Sequence, residues 1–216
     1  MKNINWPDQI LNFLGVILGV LLAFYISSVA EDKKEEKELD NILVSFRTEL
    51  ENDLGEYSKG QIPFHTQQAE SMAKLLESLQ TYNEDSVEEQ ISVVFEANNY
   101  SPQNTTYLSV VSSGKMGLIE DLELRKNLSR YYDVLSSESI ERGKNQIDFF
   151  MNQIIPWMIN HTDLMDVESK DIARDKAFAN SILIYQSLIQ NKIIQYQEIA
   201  HSAEALIQQI EAYQNP

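Results

Sequence analysis

With 216 residues, 43% of them hydrophobic, the chain is long enough for one ordinary domain with a core of its own. Its formal net charge of −16 argues against nucleic acid as a partner, because phosphates are held by Lys and Arg, and against a chain lying flat on anionic lipid. The absence of cysteine excludes disulfides, thiolate zinc sites and cysteine nucleophiles together.

Residues 1–9 form a short tail, and residues 10–30 continue without a charge. At 1.5 Å per residue these about 21 positions reach about 32 Å, enough to cross a hydrocarbon core. A cleaved export signal is the competing reading, since Ser28-Val29-Ala30 offers small residues where a signal peptidase reads. The run outlasts the about 7–15 apolar residues of a signal core, and Trp6-Pro7 stands ahead of it like an interfacial anchor, so a retained transmembrane helix is expected. Within it Gly15, Gly19, Ala23 and Ser27 recur at every fourth position and line one shallow groove. Lipid gives no hydrophobic drive to helix pairing, so close contact along these small residues, with Asn12 offering a hydrogen bond, points to pairing in the bilayer; chance spacing is the alternative. Lys33, Lys34, Lys37 and Arg47 favour a cytoplasmic domain, whereas a span after a short tail often exports the domain beyond it, and the side of the membrane stays open.

Residues 31–216 carry the whole negative charge, hold few Gly and Pro, and space their apolar positions by three and four, which predicts an all-helical domain. Leu39, Leu43, Phe46, Leu50, Leu54 and Tyr57 make one juxtamembrane stripe with no breaker between it and the span, so the transmembrane helix should continue into a bundle of long helices. Gly60 and Pro63 should end that helix, and Ala69, Met72, Leu76 and Leu79 mark the next. A shorter segment at 86–97 leads to a turn-rich stretch at 98–104, where Pro102 blocks helix and Asn104 is a candidate cap. Gly114 should stop the next helix, and with Gly117 it brackets a reversal seating Leu118 and Ile119 as a packed corner, a partner-docking surface being the other reading.

From Asp121 a helical pattern runs to residue 159, with a polar middle containing Gly143 that is expected to bridge solvent or break, and with Pro156 expected to kink or end it. Phe149, Phe150 and Trp157 are expected in the core, an interfacial wedge being the other reading. Residues 161–171 read as a connection. The last helix carries the clearest seam, Ile182, Tyr185, Ile189, Lys192, Tyr196, Ile199, Ala203, Leu206, Ile210 and Tyr213, interrupted by Lys192 alone. Its flanks are rich in Gln rather than opposed charges, which favours packing within the chain over an intermolecular coiled coil.

Chemistry is sparse. Glu198 and His201 make the i, i+3 pair used in di-iron bundles, but His65 and His161 have no acid three residues earlier to complete a second pair, so no metal or other cofactor is expected. No Gly-rich phosphate loop and no Gly-x-Ser-x-Gly elbow is present, and an enzyme is disfavoured.

The anchor "LGVILGVLLAFYIS" and the stretch "TYLSVVSSGKMGLIEDLELRKNLSRYY" at 106–132 resemble a family of bacterial single-pass membrane proteins of Bacteroidetes type, a domain of unknown function. The shared features are Ser113-Gly114, Leu118-Ile119, Glu123-Leu124-Arg125 and Tyr131-Tyr132; the anchor departs by lacking the family's Gly-Glu and by carrying Ser27 where Asn is usual. The resemblance implies a single-pass topology, a helical domain and a bacterial inner-membrane location, and it brings no catalytic residues.

Together these readings predict a membrane-anchored helical scaffold or accessory protein that works through the lipid bilayer, homo-oligomerisation and another membrane protein, without catalysis. A ligand-sensing bundle signalling to a separate membrane partner is the alternative, and a metalloenzyme stands third.

Overall fold

The structure, a computed structural model, describes residues 6–161 and 172–214, with side chains from residue 13 onward. Its regular elements are all helical, and no strand occurs among the described residues. The chain divides into two units, one ending at Ser45 and one beginning at Phe46, and a single helix, α1 (Trp6–Glu56), passes from one into the other.

In the first unit, the N-terminal part of α1 contains an 18-residue window of mean hydropathy 2.3, none of it buried. One helix of this chain is therefore long and apolar enough to cross a membrane.

The second unit starts with the C-terminal part of α1, which buries Phe46, Leu50 and Asp53. Contrary to the expectation that Gly60 and Pro63 end this helix, it passes through a widened π-helical turn, Tyr57–Gln61, directly into α2 (Ile62–Gln80). The Ile62 N–H reaches the Tyr57 carbonyl five residues back, and Pro63 sits in the first turn of α2. A widened turn moves the preceding carbonyls away from the proline ring and leaves no amide wanting where Pro has none. The same device recurs ahead of Pro156, where the π-helical turn Phe150–Ile154 precedes a helix that continues to His161. Pro156 therefore neither ends nor interrupts the helical path.

After α2, Tyr82 takes the left-handed conformation at φ 55°, and Asn83 caps α3 (Glu84–Gln90), its side chain accepting from the Ser86 amide at 3.3 Å. A 3-10 turn, Ile91–Phe95, then gives way to a non-helical strap, residues 96–104. α4 (Thr105–Ser112) stops at Gly114, whose φ of 72° is left-handed. α5 (Leu122–Ser129), capped by Asp121, runs through a third π-helical turn, Arg130–Leu135, into α6 (Ser136–Phe149), and α7 (Ile155–His161) comes after the turn before Pro156. The connection expected at 161–171 lies outside the described residues beyond His161. α8 (Lys176–Gln214) closes the unit.

α8 packs on α2 and on α6. Every seam position from Ile182 to Ile210 is buried, Lys192 included. One end of the core gathers Met72, Leu75, Leu79, Ile154, Phe178 and Ile182, with Phe149, Phe150 and Trp157 packed against it. Trp157 Nε1 also donates to Asp175 Oδ2 at 3.3 Å, so these aromatic residues serve the core rather than an interfacial wedge. The polar middle of α6 does not bridge solvent: Ser136, Ser139, Gly143 and Gln146 are buried. Ser139 and Gln146 meet polar side chains of other elements there, the Tyr57 hydroxyl for the first and the Tyr185 hydroxyl and Lys192 for the second.

Candidate functional site

A loop laid over the outside of a bundle, all of it but Tyr100 and Pro102 exposed, must anchor its backbone without a ladder of its own. The strap 96–104 does so with ionisable side chains from the surrounding helices. From α1, Asp53 accepts the Tyr100 hydroxyl and the Gln103 amide on Oδ1, at 2.7 and 3.0 Å, and the Tyr131 hydroxyl on Oδ2 at 2.7 Å. No cation pairs with it among the described residues, and burial raises its pKa above the usual carboxylate range while the donated hydrogen bonds pull the other way. Glu49, one turn earlier, accepts the Thr106 amide and hydroxyl on Oε1 at 2.9 and 2.8 Å. Asn104 occupies the N-terminal position of α4 as expected, but its side chain makes no capping bond because Glu49 takes that part from another helix.

At the other end of the strap, Lys192 from α8 donates to the Asn98 carbonyl at 2.7 Å, to Gln146 Oε1 at 2.9 Å and to Asn99 Oδ1. Three oxygens thus meet the three protons of an ammonium, and the Tyr196 ring lies 5.4 Å from Nζ. Burial pushes the lysine pKa down to about 7. His65 from α2 shares the Asn98 carbonyl, with Nε2 at 2.8 Å, and its Nδ1 is 3.0 Å from Gln68 Oε1. The Gln68 amide is fixed in that sense, since its Nε2 donates to the carbonyls of Glu96 and Val93. His65 therefore faces an acceptor on each side, and its pKa is lowered by burial and by the neighbouring Lys192.

Aromatic residues join the two ends. Tyr57 contacts the Tyr100 and Tyr196 rings at 5.2 and 5.0 Å, and its hydroxyl lies 3.0 Å from Ser139 Oγ. Tyr131 meets Tyr132 edge to face, and Tyr132 stacks on Tyr107 at 4.7 Å. Tyr57 and the Tyr131-Tyr132 pair both stand on π-helical turns, which rotate side chains out of α-helical register. Asp53, His65 and Lys192 expose no surface, and together they hold the strap.

Of the residues singled out in the sequence, Gly15, Gly19, Ala23 and Ser27 are exposed on α1, and a methyl group at either glycine would meet nothing within 4 Å. Asn12 lies outside the residues whose side chains are described. Leu43, Phe46, Leu50 and Tyr57 are buried, whereas Leu39 and Leu54 are half-buried and the inward place beside Leu54 belongs to Asp53. At the corner, Ile119 is buried, Leu118 half-buried and Gly117 exposed, and the Glu120 amide reaches the Tyr213 hydroxyl at 3.4 Å. Glu198 pairs with Arg130 at 3.0 Å beside an open groove that His201, Ser202 and Gln209 also line. No group of three metal-capable side chains occurs among the described residues.

A model of the family of unknown function DUF6090 matches residues 12–191, and the chain belongs to that family. No curated protein and no solved structure matches it.

Proposed function

We propose that this member of the DUF6090 family is a membrane-anchored helical scaffold or accessory protein, acting through self-association and partner binding without catalysis. The observation that carries the reading is the fully exposed apolar window of α1, of mean hydropathy 2.3. So large an apolar surface is stable only in lipid or against another helix. In this reading residues 1–9 are a tail, 10–30 the span and 31–216 an acidic domain, in a bacterial inner membrane as the resemblance at 106–132 implies. Gly15, Gly19, Ala23 and Ser27 form the face along which copies pair in the bilayer, aided by Asn12. Another membrane protein is the second partner, met by the domain outside the lipid.

The test is the mass of the full-length protein in mild detergent and in lipid nanodiscs, beside a Gly15→Leu, Gly19→Leu variant. An oligomer that falls to monomer in the variant supports the reading. A wild-type monomer, or an oligomer of unchanged size in the variant, rejects pairing along this face.

A further inference from the structure

The strap 96–104 makes no helical bonds of its own and is held by side chains of Asp53, His65, Gln68 and Lys192. Two of these, His65 and Lys192, meet on a single carbonyl, that of Asn98, with no carboxylate among the described residues bonded to either. Lys192 faces three oxygens and His65 two, so a full complement of hydrogen bonds asks for two buried cations on one oxygen. Removing the strap would solvate both. We propose that residues 96–104 form a proton-controlled latch, closed while the Lys192 and His65 site carries little charge and released as protonation of that pair favours the solvated, open state.

The groups facing this pair fix the direction. Tyr57 comes from the π-helical turn after α1 and, further along the strap, Asp53 from α1, Tyr100 from the strap, Tyr185 and Tyr196 from α8, and α6 presents neutral Gln146 and Ser139. The tyrosines stay neutral near pH 7 because burial raises their pKa values. Asp53 has a raised pKa and responds in the opposite sense, in its own range above 3.8. Lys192 titrates near 7 in the closed state and at 10.5 when solvated, so lowering the pH from 8.5 to 6.5 favours opening by about 20-fold, and His65 adds to it at the acid end.

Hydrogen exchange of the Gln103 amide, which is held by Asp53, reads the latch in the full-length protein once intrinsic rates are divided out. Protection should fall about 20-fold from pH 8.5 to 6.5 in the wild type and change less than about 2-fold in Lys192→Met. Constant protection in the wild type, or an equal fall in the variant, overturns the proposal. A side-chain titration of Lys192 by NMR in the unmodified protein decides the matter should the variant not fold: a midpoint near 7 supports the latch, and one above 9 overturns it.

Discussion

Two buried tyrosines, a few turns apart in space, separate the worth of a charged acceptor from that of a neutral one. Tyr131 donates to the Asp53 carboxylate at 2.7 Å, whereas Tyr57 shares a 3.0 Å bond with the Ser139 hydroxyl. Bonds to a charged partner contribute about 1.5–3 kcal/mol and neutral ones about 1 kcal/mol, so Tyr131→Phe should destabilise the domain by about 2 kcal/mol and Tyr57→Phe by about half as much. Urea denaturation of the full chain at pH 7.5 checks the order, and equal losses would mean that Asp53 is uncharged there. Neither role is legible in the sequence. Asp53 stands among Glu49, Glu51, Asn52 and Glu56, where an acid on a helix reads as a solvated face, and Leu54 one position later draws the apolar stripe toward itself. The tyrosines read as amphipathic core edges, but what their hydroxyls meet, Ser139 and Asp53, comes from helices remote in sequence from each.

At the scale of single elements, glycine marks opposite situations in α1 and α6. A methyl group added at Gly55 meets nothing within 4 Å, whereas one at Gly143 would stand 2.8 Å from Asn99 Oδ1, the atom that receives Lys192. Gly55→Ala should therefore gain most of the about 1 kcal/mol by which alanine exceeds glycine in helices. Gly143→Ala gains the same locally but displaces Asn99 and leaves the buried Lys192 amine short of an acceptor, a loss of about 1–3 kcal/mol, and should lose about 1 kcal/mol on balance. Thermal denaturation of the two variants beside the wild type shows whether the shifts have opposite sign. The last helix is legible almost entirely, because steps of three and four survive one interruption, and the interrupting Lys192 is a buried seam residue like its neighbours. Helix ends are legible where a left-handed glycine enforces them, as at Gly114. They are not legible at Pro63 and Pro156, because a proline predicts a break only for an α-helical register, and each is preceded by a turn that leaves that register.

For the whole molecule these groups combine into an unusual dependence of stability on pH. Lys192 is depressed to about 7 in the fold from 10.5, so the unfolded chain holds the extra proton between those values and stability rises with pH across that window. His65, also lowered, adds a rise below 6.5, and both contributions are lost as the pH falls through their folded pKa values. Asp53 is raised by burial, so its contribution is present below 3.8 and is lost as the pH climbs through its folded value, opposite in sign to the lysine's. Above 10 the sign turns again. Tyr57, Tyr100, Tyr131 and Tyr132 are all raised by burial and Tyr196 is pushed up to about 12, so each must lose in the fold what it gains by ionising in the unfolded chain. The urea midpoint of the full-length protein should consequently climb from pH 7 to a maximum at about pH 9–10 and then drop steeply. Lys192→Met removes the climb and keeps the alkaline drop, which assigns the two limbs to different groups. A midpoint that is flat from pH 7 to 9 in the wild type would show that the three oxygens around Lys192 hold its proton against burial, and with it the closed strap.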